Sequence, residues 1–247
     1  MTTILPFSPY EIRSTPALVY DLNEIRNRCS FLLKMKRETN CTVLYSIKAL
    51  PLRHVLEEMH ELDGFSVASL FEARLGHNRF NQNSKRIHLV TPGIKPTQWK
   101  ELHRYTTDLT FNSLEQLDLY KSALYEDHTY GIRVNPGVPL LGNPAYATCT
   151  ASSKLGVPLL ELRKRLESDP SFFDDVDGLH FHVFFECVRF NELLLILRTI
   201  DTQIGRHLNR FKWINIGGGL NFSEIGIPEV LFGYIQELQD RFNLNTI

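Results

Sequence analysis

Residues 42–111 read TVLYSIKALPLRHVLEEMHELDGFSVASLFEARLGHNRFNQNSKRIHLVTPGIKPTQWKELHRYTTDLTF. Four short apolar runs rich in β-branched and aromatic residues, Thr42–Ser46, Gly64–Ala68, Arg86–Val90 and Asp108–Phe111, begin at positions 42, 64, 86 and 108, an interval of about 22 residues. Between them Leu52–Leu62, Glu72–Asn78 and Pro96–Tyr105 carry apolar residues at three- and four-residue steps, the period of a helix with one buried face. That interval suits strand–helix units, which parallel strands require. The pattern continues outward. Gly131–Val134, Gly178–His182 and Trp213–Ile216 read as strands. Leu114–Ala123, Pro158–Leu166, Leu193–Leu208 and Pro228–Phe242 read as helices, with Pro96, Pro158 and Pro228 at starts that tolerate proline. A further run, Ala17–Leu22, reads as a leading strand outside the repeat.

Seven strand–helix units after a leading segment predict an open doubly wound sheet or a (β/α)8 barrel. Only Asn243–Ile247 follow the seventh helix, so a barrel reading predicts that the eighth strand is absent and that the first and seventh strands have unpaired edges. No linker or shift of composition divides the chain, and residues 1–247 are expected to be one domain, with 1–40 as the leading strand and helix and 41–247 as the βα units.

Composition narrows the function. With 43% apolar and 22% charged residues the chain has material for a core. Its net charge of −1, with no basic cluster, argues against nucleic acid as a partner. The longest apolar stretches are too short to span a bilayer, so no membrane partner is expected. The opening residues, interrupted by Pro6 and Pro9, do not read as a signal peptide. Cys29, Cys41, Cys149 and Cys187 show no CxxC spacing and read as reduced thiols of a cytoplasmic protein.

Several residues suggest chemistry. Lys48 ends an apolar strand, where lost hydration would lower its pKa and favour the free amine; an ordinary strand-end charge is the alternative. Gly217, Gly218 and Gly219 follow the seventh strand, where barrels commonly bind phosphate through backbone N–H groups; a flexible turn is the alternative. Phe222 stands where a dinucleotide fingerprint would need glycine. His180 and His182 alternate along one strand and face one side. They read as a metal pair, as a ring stacked on an aromatic cofactor, or as core histidines; Glu186 and His207 are the nearest candidates for a third ligand. Arg133 ends another strand and could anchor an anionic or phenolic oxygen. Lys48, Arg133, His182 and the glycines would meet at one barrel mouth.

Together with Tyr45–Ala49, Asp63–Ser69 running on to Glu72-Ala73-Arg74, Thr91–Ile94, Phe111–Ser113, Arg133–Pro136, Ser153–Val157 and Gly178–His182, in that order, these motifs resemble the fold-type III pyridoxal-phosphate decarboxylases, and within them the carboxynorspermidine (carboxyspermidine) decarboxylases. The resemblance implies a TIM-type barrel of the alanine racemase/ornithine decarboxylase type with pyridoxal 5'-phosphate as cofactor and no metal. It implies that Lys48 carries the cofactor through its amine, that His182 stacks on the ring, and that Gly217, Gly218 and Gly219 bind the phosphate. Arg133 would lie close to the cofactor and Glu72 near the base of the site. The implied reaction is removal of CO2 from a polyamine-like small molecule by a homodimer. The family continues with an eighth strand, a Glu-Pro-Gly motif and a C-terminal β-domain, which the sequence does not show; Phe184 and Phe185 also look bulkier than the residues expected after the paired histidines. A single-barrel pyridoxal-phosphate carrier and a metal-dependent barrel hydrolase using His180 and His182 are the other readings.

Overall fold

Asp21 decides where the first α-helix begins. Its carboxylate accepts the N–H groups of Asn23 (2.8 Å) and Glu24 (3.4 Å), capping a helix that starts at Leu22. The expected leading strand Ala17–Leu22 is therefore corrected. Leu22 is helical, Leu18 and Val19 are 99% and 54% exposed, and the run pairs with no strand among the described residues. An apolar run needs a partner edge to become a strand, and none lies beside this one.

The computed structural model describes residues 8–80, 85–138, 149–183, 190–219 and 229–247. Chain order runs α1 (Leu22–Thr39), β1 (Leu44–Ser46), α2 (Arg53–Glu58), β2 (Gly64–Val67), α3 (Leu70–Phe80), β3 (Arg86–Val90), α4 (Trp99–Tyr105), β4 (Asp108–Phe111), α5 (Leu114–Tyr120) and β5 (Thr129–Asn135). It continues through β6 (Val157–Pro158), α6 (Leu159–Ser168), β7 (Gly178–His180), α7 (Phe190–Leu208), β8 (Trp213–Asn215), α8 (Glu229–Phe242) and β9 (Asn245–Thr246). Neighbouring strands follow the order β1-β2-β3-β4-β5-β7-β8-β9, with β6 added to β5, and every pairing is parallel. Seven of these strands are each followed by a helix, as the repeat predicts.

The expected open edge is the second correction. β9 pairs with β8 in the register Trp213↔Asn245 and Ile214↔Thr246. Thr246 O then accepts Thr42 N–H at 2.8 Å, and Ile216 N–H donates to Ile247 O at 3.0 Å. Asn245–Ile247 thus fill the place of the eighth strand and join the sheet back to the chain just before β1.

Alternation along the strands sorts two environments. Phe65, Leu89, Leu109, Phe111, Ile132 and Ile214 face the helices and are almost wholly buried. Each contributes about 1.5–3 kcal/mol through removal of apolar surface from water. Apart from Trp213, the other face is polar or small: His88, Asp108, Thr110, Gly131, Arg133, Gly178, His180 and Asn215. Its groups touch across the sheet. The His88 ring on β3 lies 5.2 Å from that of Trp213 on β8, strands that are not neighbours, so this face lines a barrel interior. Trp213 fits there because two glycines make room for it. A Cβ on Gly178 would fall 2.0 Å from Trp213 Cδ2, and one on Gly131 2.3 Å from Trp213 Cη2.

At the end where the strands begin, Asp108 holds the sheet together. Its carboxylate takes two hydrogen bonds from Arg86 (2.8 and 2.7 Å) and one each from the Thr107 and Thr129 hydroxyls. Burial works against its charge, but these donors outweigh it and hold its pKa below the usual value.

Candidate functional site at the barrel mouth

Parallel strands bring all their C-terminal ends to one face, where barrel sites form. β1 stops at Ser46, and a 3-10 turn over Ile47–Ala49 sends Ile47 into the core and Lys48 outward. Lys48 is exposed, so the apolar run does not take its amine out of water as its sequence context predicts.

Arg133, on the last turn of polar positions in β5, is only 7% exposed. Among the described residues its guanidinium makes no hydrogen bond or ion pair. Burial pushes its pKa down, while the nearby Cys149 favours its charge. Its stem is gripped by Gly156, which has φ 87° and where a Cβ would come 3.1 Å from Arg133 Cγ. Two motif asparagines pin the segment carrying Gly156. Asn112 donates to Lys154 O (2.8 Å) and accepts Gly156 N–H (3.1 Å), and Asn135 donates to Thr150 O (2.9 Å).

His182 follows β7 and is partly buried. Its pKa falls to about 4, first because of burial and then because Lys48 and Arg133 place positive charge near it. Those interactions bring three sequence candidates from three strands into one neighbourhood. Gly218 N–H donates to His182 Nδ1 at 3.2 Å, adding the glycine bend. Gly217, with φ 77°, is pressed so closely on the preceding strand that a Cβ would lie 2.5 Å from Phe181 O; a Cβ on Gly218 would meet nothing within 4 Å. Gly219 also has positive φ, 80°.

Glu72 belongs to a helix start. Ser69 Oγ accepts Glu72 N–H (3.3 Å), and Glu72 Oε2 accepts Ala68 N–H (2.8 Å), a reciprocal cap that joins β2 to α3. His180 is 4% exposed, and neither ring nitrogen has a well-formed hydrogen bond among the described residues, although the Asn215 side chain lies close enough to favour its charge. Burial, then His88, Arg133 and His182, push its pKa well down. Cationic neighbours disfavour a metal ion at this pair, and no group of three possible metal ligands occurs among the described residues. Phe184, Phe185, Glu186, Cys187 and Phe222 lie outside the described residues. No helix among the described residues is long and apolar enough to cross a membrane.

The sequence reading passed over His88, Thr110 and Asn215, which connect the mouth to the barrel centre. Alternation such as Asp108-Leu109-Thr110-Phe111-Asn112 and Trp213-Ile214-Asn215-Ile216-Gly217 was the available signal, since a polar inward face is unusual for a buried sheet.

The fold and these residues fit a group with an aldehyde, a flat ring and an anionic tail. They offer a primary amine, a neutral imidazole, a guanidinium without a counter-charge among the described residues, and a glycine bend with open space. Residues 22–239 match the family described as pyridoxal-dependent decarboxylase, pyridoxal binding domain. This chain belongs to that family. Its cofactor is pyridoxal phosphate. Within the family it is 24% identical over 239 residues to the carboxynorspermidine/carboxyspermidine decarboxylase of Campylobacter jejuni, covering 96% of this chain and 60% of that protein. The enzyme of the same description from Herminiimonas arsenicoxydans is 26% identical over 218 residues, covering 86% of this chain and 56% of that one. The chain thus spans somewhat more than half the length of these relatives. The crystal structure of the Campylobacter jejuni carboxynorspermidine decarboxylase with norspermidine superposes with a TM-score of 0.73 at 23% identity, over 91% of this chain and 56% of that one. Diaminopimelate decarboxylase from Helicobacter pylori, complexed with L-lysine, gives 0.75 at 17% identity, over 96% and 64%. The barrel is therefore that of the pyridoxal-dependent decarboxylases, as its motifs imply.

Proposed function

We propose that residues 1–247 form the cofactor-binding barrel domain of a decarboxylase that removes CO2 from a carboxylated polyamine, carboxynorspermidine or carboxyspermidine. The observation that carries this reading is the convergence of Lys48, Arg133 and the Gly217–Gly219 bend on one imidazole, His182, at the mouth. The names of the Campylobacter and Herminiimonas relatives support the substrate class, and the homodimer is carried over from the same family.

Pyridoxal phosphate, when bound, supplies an electron sink for the pair left behind as a carboxylate departs as CO2. The chain's own residues have separate tasks. Lys48, exposed at the mouth, carries the cofactor through its amine. His182, neutral at physiological pH, presents a flat face without adding charge. Arg133 anchors an anionic or phenolic oxygen that compensates its buried charge. Gly217, Gly218 and Gly219 let the backbone approach the phosphate closely. Glu72, which the family resemblance would put near the base of the site, keeps one carboxylate oxygen uncommitted among the described residues.

The test is to titrate the chain with pyridoxal phosphate, follow the absorbance of a lysine-linked pyridoxal, trap it with borohydride and map the labelled lysine. Label on Lys48, lost in Lys48→Ala, and CO2 released from carboxynorspermidine or carboxyspermidine are expected. Label on a different lysine would sink the site. Bound cofactor without CO2 release would reduce the function to cofactor binding.

A further inference from the structure

The glycine bend is held from within the barrel. Asn215 Oδ1 accepts Gly217 N–H at 2.8 Å, which fixes the orientation of that amide because an N–H can meet only its oxygen. The amide nitrogen, Nδ2, therefore faces His88 Nδ1 at 3.4 Å and donates to it. A ring nitrogen that accepts carries no proton, so neutral His88 bears its hydrogen on Nε2. That hydrogen is directed to Thr110 Oγ1 at 2.7 Å. At the far end Gly218 N–H donates to His182 Nδ1 at 3.2 Å, which makes neutral His182 the Nε2–H form as well. Thr110 on β4, His88 on β3, Asn215 on β8 and the bend form one directional chain from the barrel centre to His182.

Two bend amides are consumed by it. Gly217 N–H is taken by Asn215 and Gly218 N–H by His182. Of the three glycines, Gly219 alone keeps an N–H without a protein acceptor among the described residues.

We propose that Thr110, His88 and Asn215 are positioning residues that set the bend and, through Gly218, the ring of His182, leaving Gly219 N–H as the bend amide that meets an anion. The anion contact rests on the cofactor reading above; the positioning of the bend does not. An apolar side chain at His88 would fill the same space but leave the Asn215 amide free to rotate, loosening the bend at its first residue.

The experiment uses the full chain with 15N-labelled histidine and backbone. In the cofactor-free protein at pH 7, His88 and His182 are expected as Nε2–H tautomers. His88→Phe should move the Gly217 and Gly218 amide resonances and weaken pyridoxal-phosphate binding about tenfold, the effect of one hydrogen bond. His88→Gln, whose amide can accept from Asn215 and donate to Thr110, should restore most of that affinity. Asn215→Asp keeps the oxygen for Gly217 but loses the donor, and should switch His88 to Nδ1–H, a readout that survives if His88→Phe fails to fold. The proposal is overturned if wild-type His88 carries its proton on Nδ1, or if His88→Phe leaves the glycine amides and His182 unchanged. Movement of those signals in a chain that binds no cofactor would support the positioning and remove the cofactor reading instead.

Discussion

Replacing Arg133 by Met separates the stability of this barrel from its ligand chemistry. The guanidinium is 7% exposed, meets no counter-charge among the described residues and has its pKa lowered by burial. A buried charge left unpaired costs several kcal/mol, and an apolar side chain of similar volume in its place commonly gains about 1–3 kcal/mol. Met follows the same slot beside Gly156, so little repacking is required. For a domain of this size about 1 kcal/mol moves Tm by roughly 2–4 °C, so cofactor-free Arg133→Met should melt about 2–12 °C above wild type. If Arg133 anchors the cofactor as proposed, the same change removes a charge-assisted hydrogen bond worth about 1.5–3 kcal/mol and should weaken binding roughly 10- to 150-fold. Calorimetric melts with and without saturating pyridoxal phosphate read both effects. A cofactor-free variant that melts below wild type would show that Arg133 is compensated inside the protein, and the reasoning would fail. Equal cofactor affinities would remove its role toward an anion.

Stability should also depend on pH. His88 and His182 have pKa values near 4 in the fold against about 6.5 when unfolded. The unfolded chain therefore binds protons first, and the stabilisation is complete above pH 6.5 and lost as pH falls toward 4. For fully buried His88 this amounts to about 3 kcal/mol. Melts at pH 7.5, 6 and 5 should show the decline and His88→Gln should flatten it; a constant Tm over that span would contradict it. Gly178→Ala should cost about 3 kcal/mol or more, because its methyl group would overlap the Trp213 indole. In denaturant melts Trp213→Leu should recover much of that loss, and strictly additive costs would argue against the overlap.

Much of the fold was legible because βα units repeat an apolar run at constant spacing. What escaped depended on partners distant in sequence. Asn245–Ile247 have no apolar run to announce a strand; they become one because Ile214 and Thr42 offer backbone groups to them. Ala17–Leu22 has such a run but meets a capping aspartate in place of a sheet edge. At the mouth, Lys48, Arg133, His182 and the glycines were legible from their places at strand ends. The exposure of Lys48 was not, since a single 3-10 turn sets it. The His88 contacts were hidden by separation, 22 residues to Thr110 and 127 to Asn215, and become visible only once the strands enclose an interior.

The chain has two tryptophans, and they report different places. Trp99 stacks 4.1 Å from Tyr120 in the helical layer and donates its indole N–H to Ala123 O. Trp213 lies over the two glycines, beside the His88 ring, and its indole N–H has no acceptor among the described residues. In a Trp99→Phe background the protein thus carries its own lamp at the centre. Short-wavelength emission is expected from an indole held away from water, and quenching is expected when the adjacent imidazole takes up a proton. Events at the interior can then be watched optically, without any added dye.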